Sequence, residues 1–139
     1  MKLNIIKAFF LLGAVIIGFV IFIPFPDYDI RLLGIGEHRN FLFHSSFLPV
    51  LGFVFLRKSR SRSYIFTIIQ GFTMGICLAI GLHLFLDTFQ SAAVKFIFIG
   101  SLVDGTSLDD RLWLGINSIV SMIIAFYFGS NIYKDTAAN

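Results

Sequence analysis

The sequence predicts an all-α integral membrane protein of about four transmembrane helices, with a short re-entrant or interfacial segment before the last one. Of its 139 residues, 57% are hydrophobic and only 14% are charged, and the mean hydropathy is +0.87. Soluble domains carry about a quarter charged residues. The apolar residues gather in four stretches, and the length suits one domain, residues 1–139.

The first apolar stretch, 5–23, follows a basic N-terminus with Lys7 near its start. It resembles a signal peptide, but no A-x-A-like cleavage site follows it. Its length approaches the roughly 20 residues that span the hydrocarbon core. We therefore expect an uncleaved first transmembrane helix that ends at Pro24 and Pro26, followed by a more polar loop to Asn40.

The second stretch, 41–56, is short and contains Pro49, which predicts a kinked helix that begins below the membrane surface. The third stretch, 64–86, is long enough to span fully. Its Gly71 and Gly75 form a small-xxx-small face that favours close packing against another helix.

The fourth stretch, 112–133, also spans, and Trp113, Tyr127 and Tyr133 are suited to the membrane interfaces. Before it lies 92–103, an apolar piece of about twelve residues that contains Lys95. Because this piece is too short to cross, we interpret it as re-entrant or surface-lying.

Four crossings divide the charges unequally. Basic residues on the side of the termini are Lys2, Lys7, Arg57, Lys58, Arg60, Arg62 and Lys134, and those on the other side are Arg31, Arg39, Lys95 and Arg111. The positive-inside rule then predicts that both termini are cytoplasmic. The net charge of +3 is explained by this topology signal, and no soluble basic face is left to bind nucleic acid.

All three histidines and most acidic residues fall on the non-cytoplasmic side. These acidic residues are Asp27, Asp29, Glu37, Asp87, Asp104, Asp109 and Asp110. His38 lies in the first loop, His44 one turn into the second helix, and His83 one turn before the end of the third. His83 and Asp87 are four residues apart, so they project from one helix face.

Imidazole and carboxylate together form a ligand set for zinc, manganese or iron. A divalent cation would relieve the repulsion between these carboxylates and offset their desolvation at a membrane boundary. Simpler explanations exist for single residues: Asp27 and Asp29 suit a turn, Asp104 precedes a glycine, and Asp109 is a suitable helix N-cap. Ionisable residues inside apolar segments, such as His44 and His83, are more typical of a functional site.

Three motifs in order resemble a known family. The segments are Pro26-Asp27-Tyr28-Asp29, His38-Arg39-Asn40-Phe41-Leu42-Phe43-His44-Ser45 and His83-Leu84-Phe85-Leu86-Asp87. They are similar to the P-D-x-D, H-R-x-x-T-H-S and H-x-x-x-D motifs of the LexA-regulated inner-membrane family of metal-dependent hydrolases. The resemblance covers about residues 24–90.

The resemblance implies a multi-pass protein of the bacterial cytoplasmic (inner) membrane that hydrolyses its substrate with a bound metal, zinc above all. The ligands that it implies are Asp27, Asp29, His38, His44, His83 and Asp87. This chain departs from the motifs at Ile30 and Phe43, and it has one extra residue between Arg39 and His44. It also has no histidine in the first helix, and these departures predict fewer ligands or one metal instead of two.

Further roles can be assigned on this hypothesis. Either Asp29 or Glu37 would act as the base. Arg39 and Arg111 would hold an anionic group such as a phosphate. The alternative for Arg39 is to pair with a ligand carboxylate. A site at headgroup depth suits a lipid or a phosphoester. Two alternatives to a hydrolase remain. One is a non-catalytic small subunit of a membrane assembly or an oligomer, and the other is a transporter in which the same residues form an ion path.

Overall fold

The computed structural model describes residues 5–34, 39–57, 63–90, 94 and 110–137, and these residues form helices and turns with no β-strand. The five helices are α1 (Ile5–Phe22), α2 (Tyr28–Leu33), α3 (Phe47–Leu56), α4 (Tyr64–Asp87) and α5 (Asp110–Ala137). The all-helical class predicted from the sequence is therefore confirmed for the described part of the chain.

Three of the helices are long and apolar enough to cross a membrane. They are α1, α4 and the 111–135 part of α5, with 18, 24 and 25 residues. At 1.5 Å per residue they measure roughly 27, 36 and 37 Å, against a hydrocarbon core of about 30 Å. Helix α3 has only 10 residues, or about 15 Å, so the helix alone does not account for a fourth crossing.

Helices α1 and α4 pack closely through glycines. A Cβ atom at Gly18 would overlap the carbonyl of Phe72, and one at Gly75 would overlap the carbonyl of Val15. Gly71 faces the same neighbour, so the predicted small-residue face of α4 packs against α1. Close backbone approach of this kind is how helices associate in lipid, where the hydrophobic effect gives little drive.

Contacts at both ends show that α1 and α4 run parallel. The Tyr64 hydroxyl donates to the Lys7 carbonyl at their first turns, and the Ile23 carbonyl contacts the His83 ring at their last turns. We call these the first-turn end and the site end of the bundle. The chain must therefore return to the first-turn end between residues 23 and 64.

Helix α3 makes part of this return, and α5 also runs antiparallel to α4. A Cβ at Gly52 of α3 would touch Thr73, which lies near the middle of α4. Near the start of α5 the Ser118 hydroxyl donates to the Gly81 carbonyl, whereas Gly129 packs on Met74 further along. The first and last described helices thus have their outer ends at the same end of the bundle.

The second predicted helix begins at Phe47 instead of residue 41, so the prediction that His44 lies within it is wrong. Polar groups hold residues 41–46 in turns. The Asn40 side-chain oxygen accepts from the Leu42 amide, and the Ser45 hydroxyl donates to the Leu42 carbonyl. Such local side-chain bonds compete with helix formation. Pro49 consequently falls in the first turn of α3, where a proline is tolerated.

Two further differences concern the loops. Helix α2 lies within the segment interpreted as a polar loop. The interpretation of 92–103 as a re-entrant piece falls outside the described residues except at Val94, which is buried against Ile80, Leu84 and Leu114.

Candidate metal centre

Four short segments meet at the site end of the bundle. Asp27 precedes α2 and Asp29 lies in its first turn, while His44 belongs to the turn that precedes α3. His83 and Asp87 occupy the last two turns of α4. Their side chains contact one another, so the predicted gathering of imidazoles and carboxylates is found for these five residues.

His83 is held from behind by the end of α1. Its Nδ1 lies 2.9 Å from the Ile23 carbonyl oxygen. Because a carbonyl oxygen only accepts hydrogen bonds, Nδ1 carries the proton, and a neutral ring has its lone pair on Nε2. That Nε2 lies 3.6 Å from Asp27 Oδ1 and 3.6 Å from Asp87 Oδ2.

A carboxylate lies beside the ring of His44. Its Nδ1 lies 3.2 Å from Asp29 Oδ2, and its Nε2 lies 3.3 Å from Asp87 Oδ2. The side chain is completely buried. Its main chain is fixed as well, because the His44 amide donates to the Asn40 carbonyl and the Trp113 indole donates to the His44 carbonyl. A ligand histidine typically donates its other ring N–H to a carboxylate or carbonyl.

Asp29 lies behind His44. Its Oδ1 accepts from the Ile30 amide at 2.6 Å, and its Oδ2 accepts from the Asn40 amide at 2.8 Å in addition to its contact with His44. The residue is fully buried. With both oxygens engaged in this way, the geometry favours a positioning role for Asp29 over direct ligation.

Four potential ligand atoms converge in front of the two rings: Asp27 Oδ1, His44 Nε2, His83 Nε2 and Asp87 Oδ2. Three separations among them are 3.3, 3.6 and 3.6 Å, and one ligand atom each from Asp27, His44 and His83 lie within 4.8 Å of one another. Metal–ligand bonds of about 2.0–2.1 Å in a tetrahedron place neighbouring ligand atoms roughly 3.3 Å apart. The three separations of 3.3–3.6 Å are close to this spacing.

The electrostatics of the cluster call for a cation. Asp87 Oδ2 is buried and makes no hydrogen bond within the described part of the protein, yet it faces both Nε2 atoms. With neutral rings, two nitrogen lone pairs and two carboxylate oxygens point at the same small volume. Within the described part of the chain, the three carboxylates of Asp27, Asp29 and Asp87 exceed the one guanidinium of Arg39 by two negative charges. One divalent cation, or one proton on each Nε2, would neutralise them.

Arg39 pairs with this cluster from the side. Its backbone is left-handed, with φ at 63°, and its side chain is buried. The Nη2 atom donates to Gln90 Oε1 at 3.2 Å and lies 3.9 Å from Asp87 Oδ1. Of the two roles that the sequence left open for Arg39, pairing with a ligand carboxylate is the one that this geometry favours.

Sequence reasoning missed several residues that support the site. Gln90 holds Arg39, Trp113 holds the His44 carbonyl, and Asn117 accepts from both the amide and the hydroxyl of Ser46. For Asn117 and Trp113 the available signal was a buried amide and an indole within an apolar stretch, since such groups need hydrogen-bond partners. Gln90 is exposed and gave no such signal.

Most of the remaining predicted residues lie outside the part of the chain that the structure describes. Glu37, predicted as a base, and His38, predicted as a ligand, lie outside the described ranges. The same holds for Lys95, Asp104 and Asp109. Arg111 is exposed on the first turn of α5.

Comparisons with known proteins found no match among protein-family models, curated proteins or solved structures. The resemblance to the inner-membrane hydrolases therefore stays a prediction from the three motifs.

Proposed function

We propose that this protein is a membrane-embedded, metal-dependent hydrolase whose site lies at the non-cytoplasmic face of the bacterial inner membrane. The observation that carries the proposal is the orientation of the two imidazoles. The His83 Nδ1 hydrogen-bonds the Ile23 carbonyl, the His44 Nδ1 lies 3.2 Å from Asp29 Oδ2, and both Nε2 atoms face Asp87 Oδ2. Such an orientation is typical of ligand histidines.

The proposed topology has four passes and cytoplasmic termini. Since α1 and α4 run parallel, the chain between them has to return, and residues 39–57 lie on that path. Ten residues of α3 together with the turns before it would make the second pass. The described basic residues Lys7, Arg57 and Lys134 then fall at the cytoplasmic end, as the positive-inside rule requires.

The donor set fits zinc, with manganese or iron as alternatives. Asp27, His44, His83 and Asp87 would hold the ion. A divalent cation, when bound, lowers the pKa of a coordinated water toward neutrality and polarises the scissile group. The side chain of Asp27 is 45% exposed, compared with 8% for Asp87, so Asp27 is the ligand at which substrate and water would have access.

The residues around the ion would each have a separate role. Asp29 would fix the His44 ring and Arg39 would fix Asp87, because both are buried and engaged. Glu37 then becomes the better candidate for the base. Arg111, on the exposed first turn of α5, would bind an anionic group. A site at this depth suits a lipid or another phosphoester as substrate.

Metal content tests the proposal directly. We expect the purified protein to retain about one zinc ion per chain by elemental analysis, and His44→Ala and His83→Ala to retain almost none. Thr73→Ala is the matched control: Thr73 is a buried residue of α4 whose hydroxyl bonds only its own helix at Ile69, and its metal content should be unchanged. Full occupancy in a variant lacking both histidines would refute the metal site.

Activity is tested separately. The loaded protein in detergent should cleave a member of a panel of fluorogenic phosphodiesters, phosphomonoesters and carboxylic esters, and His83→Ala should not. Metal binding without cleavage of any of these substrates would leave the site standing and count against the enzyme.

A structural metal in a small subunit of a membrane assembly is the second candidate. It is favoured by the number of donors, because four protein ligands can close a tetrahedral shell, whereas catalytic zinc sites keep one position for water. Asp27→Asn distinguishes the two. A catalytic site would lose or alter turnover while keeping the ion on three ligands, and a closed structural site would lose thermal stability together with its metal.

A further inference from the structure

The geometry points to a binding site for one anionic phospholipid in a groove between α1 and α4, at the end of the bundle opposite the metal centre. Two features meet there: an apolar groove that can take part of an acyl chain and a lysine beside it. Neither takes part in the proposed hydrolase site.

The groove has a volume of about 550 Å³, within the range of roughly 300–1,000 Å³ typical of small-molecule sites. Phe10, Gly13 and Ile17 line it from α1, and Tyr64 and Ile68 line it from α4. Gly13 makes the groove deep, because a Cβ there would meet no atom within 4 Å. Its walls are apolar and run along the helices, which suits a hydrocarbon chain.

The mouth of the groove carries positive charge. The Lys7 ammonium lies 5.6 Å from the centre of the Tyr64 ring, and the Tyr64 hydroxyl donates to the Lys7 carbonyl. The amine is thus held beside the groove by a cation–π contact. Tyrosine and lysine at one depth are typical of headgroup level, so a phosphate there would sit against the lysine while its acyl chain enters the groove.

A comparison within the molecule shows why a charged lipid is the expected occupant. A second groove, of about 610 Å³ between α4 and α5, is lined by Leu82, Phe85, Ser118, Met122 and Phe126, among others, and it suits any acyl chain. Neither groove is lined by a cation in the described part of the chain, but Tyr64 of the α1–α4 groove contacts the Lys7 ammonium. The α1–α4 groove adds charge complementarity, and a basic residue near the membrane surface favours anionic lipids about fivefold.

A second copy of this chain is a poorer fit for the α1–α4 groove. In a two-fold dimer about the membrane normal, identical residues lie at identical depth on both copies. Dimerisation through this groove would bring the two Lys7 ammonium groups together, and their repulsion opposes the contact.

Native mass spectrometry of the full chain in a neutral detergent tests the assignment. We expect one dioleoylphosphatidylglycerol per chain to bind more tightly than dioleoylphosphatidylcholine. Lys7→Gln should weaken the phosphatidylglycerol complex about fivefold and leave the phosphatidylcholine complex unchanged. Lys134→Gln removes the same charge at the same end of the bundle but outside the groove, and its affinities should stay within about twofold of the wild type.

Filling the groove tests the acyl-chain part. Gly13→Leu should weaken both lipid complexes about tenfold or more, because the leucine occupies the chain's volume, and Ile123→Phe in the α4–α5 groove is the control. Unchanged lipid binding by Gly13→Leu would overturn the proposal. Equal losses of phosphatidylglycerol affinity in Lys7→Gln and Lys134→Gln would also overturn it, because they would indicate diffuse attraction. A dimer that Gly13→Leu abolishes would overturn it as well. If Gly13→Leu does not fold, the comparison of Lys7→Gln with Lys134→Gln tests the proposal.

Discussion

Replacing Asp29 by asparagine tests whether this residue positions a ligand or is itself one. The substitution keeps the size of the side chain but exchanges one oxygen for an NH₂ group. If that group takes the place of Oδ2, it opposes the Asn40 amide and faces the His44 Nδ1. If it takes the place of Oδ1, it opposes the Ile30 amide. Neither orientation satisfies both backbone amides.

The expected effect on metal binding follows from this arrangement. Loss of the group behind a ligand histidine typically weakens metal affinity by roughly 10–100-fold, or about 1.4–2.7 kcal/mol. We expect Asp29→Asn to fall in this range. We also expect a loss of about 1–3 kcal/mol in the free energy of unfolding of the metal-free protein, because a buried backbone donor loses its acceptor.

Zinc affinity should be measured in detergent by competition with a chromophoric chelator, for wild type, Asp29→Asn and His44→Ala. Asp135→Asn is the matched control, since it makes the same change in the last turns of α5 and should leave zinc affinity unaltered. Affinity within twofold of the wild type would show that Asp29 does not hold His44. A loss of bound zinc as complete as in His44→Ala would show that Asp29 is a ligand, as the motif resemblance implied.

Three further predictions follow from the packing, the protonation and the direction of the helices. Gly75→Val should separate α1 from α4 at Val15 and lower the thermal midpoint in detergent. It should also weaken zinc binding, because it shifts the Ile23 carbonyl that holds His83. Gly13→Ala, in open space, is the control and should leave the thermal midpoint and the zinc affinity unchanged within error. Zinc affinity should fall as pH falls, with up to two protons taken up per ion released, because protons compete for both Nε2 atoms; a pH-independent affinity measured by the same chelator competition would contradict imidazole ligation. Alkaline phosphatase fused after Gln90 should be active in cells and the same enzyme fused after the last residue inactive, and the reverse pattern would overturn the proposed orientation.

The sequence alone was sufficient where a pattern is local. Continuous hydropathy located the three long helices, and the four-residue spacing placed His83 and Asp87 on one face of α4. It failed at His44, because the helix predicted over the apolar stretch 41–56 includes the polar run His44-Ser45-Ser46, although this run directly precedes the start of α3 at Phe47. The start of α3 is decided by Asn40, Ser45 and Asn117, and the last of these is distant in the chain. The same limit applies to Asp29, whose role depends on its contact with His44.

In the proposed four-pass topology, the shortness of α3 and the existence of the site have one cause. About half of the second pass is non-helical, and such backbone is tolerated at membrane depth only where protein groups satisfy its amides and carbonyls. Asp29 accepts from the Asn40 amide, Trp113 donates to the His44 carbonyl, and Asn117 accepts from the Ser46 amide. The side chains that make this turn possible are therefore also those that fix His44 against Asp87. A continuous helix from residue 41 would need none of these partners and would lose the contacts that now hold the His44 ring in place. Retaining the turn is thus a condition for the metal centre. Variants of Trp113 and Asn117 should therefore weaken zinc binding through the His44 carbonyl and the Ser46 amide that these two side chains hold.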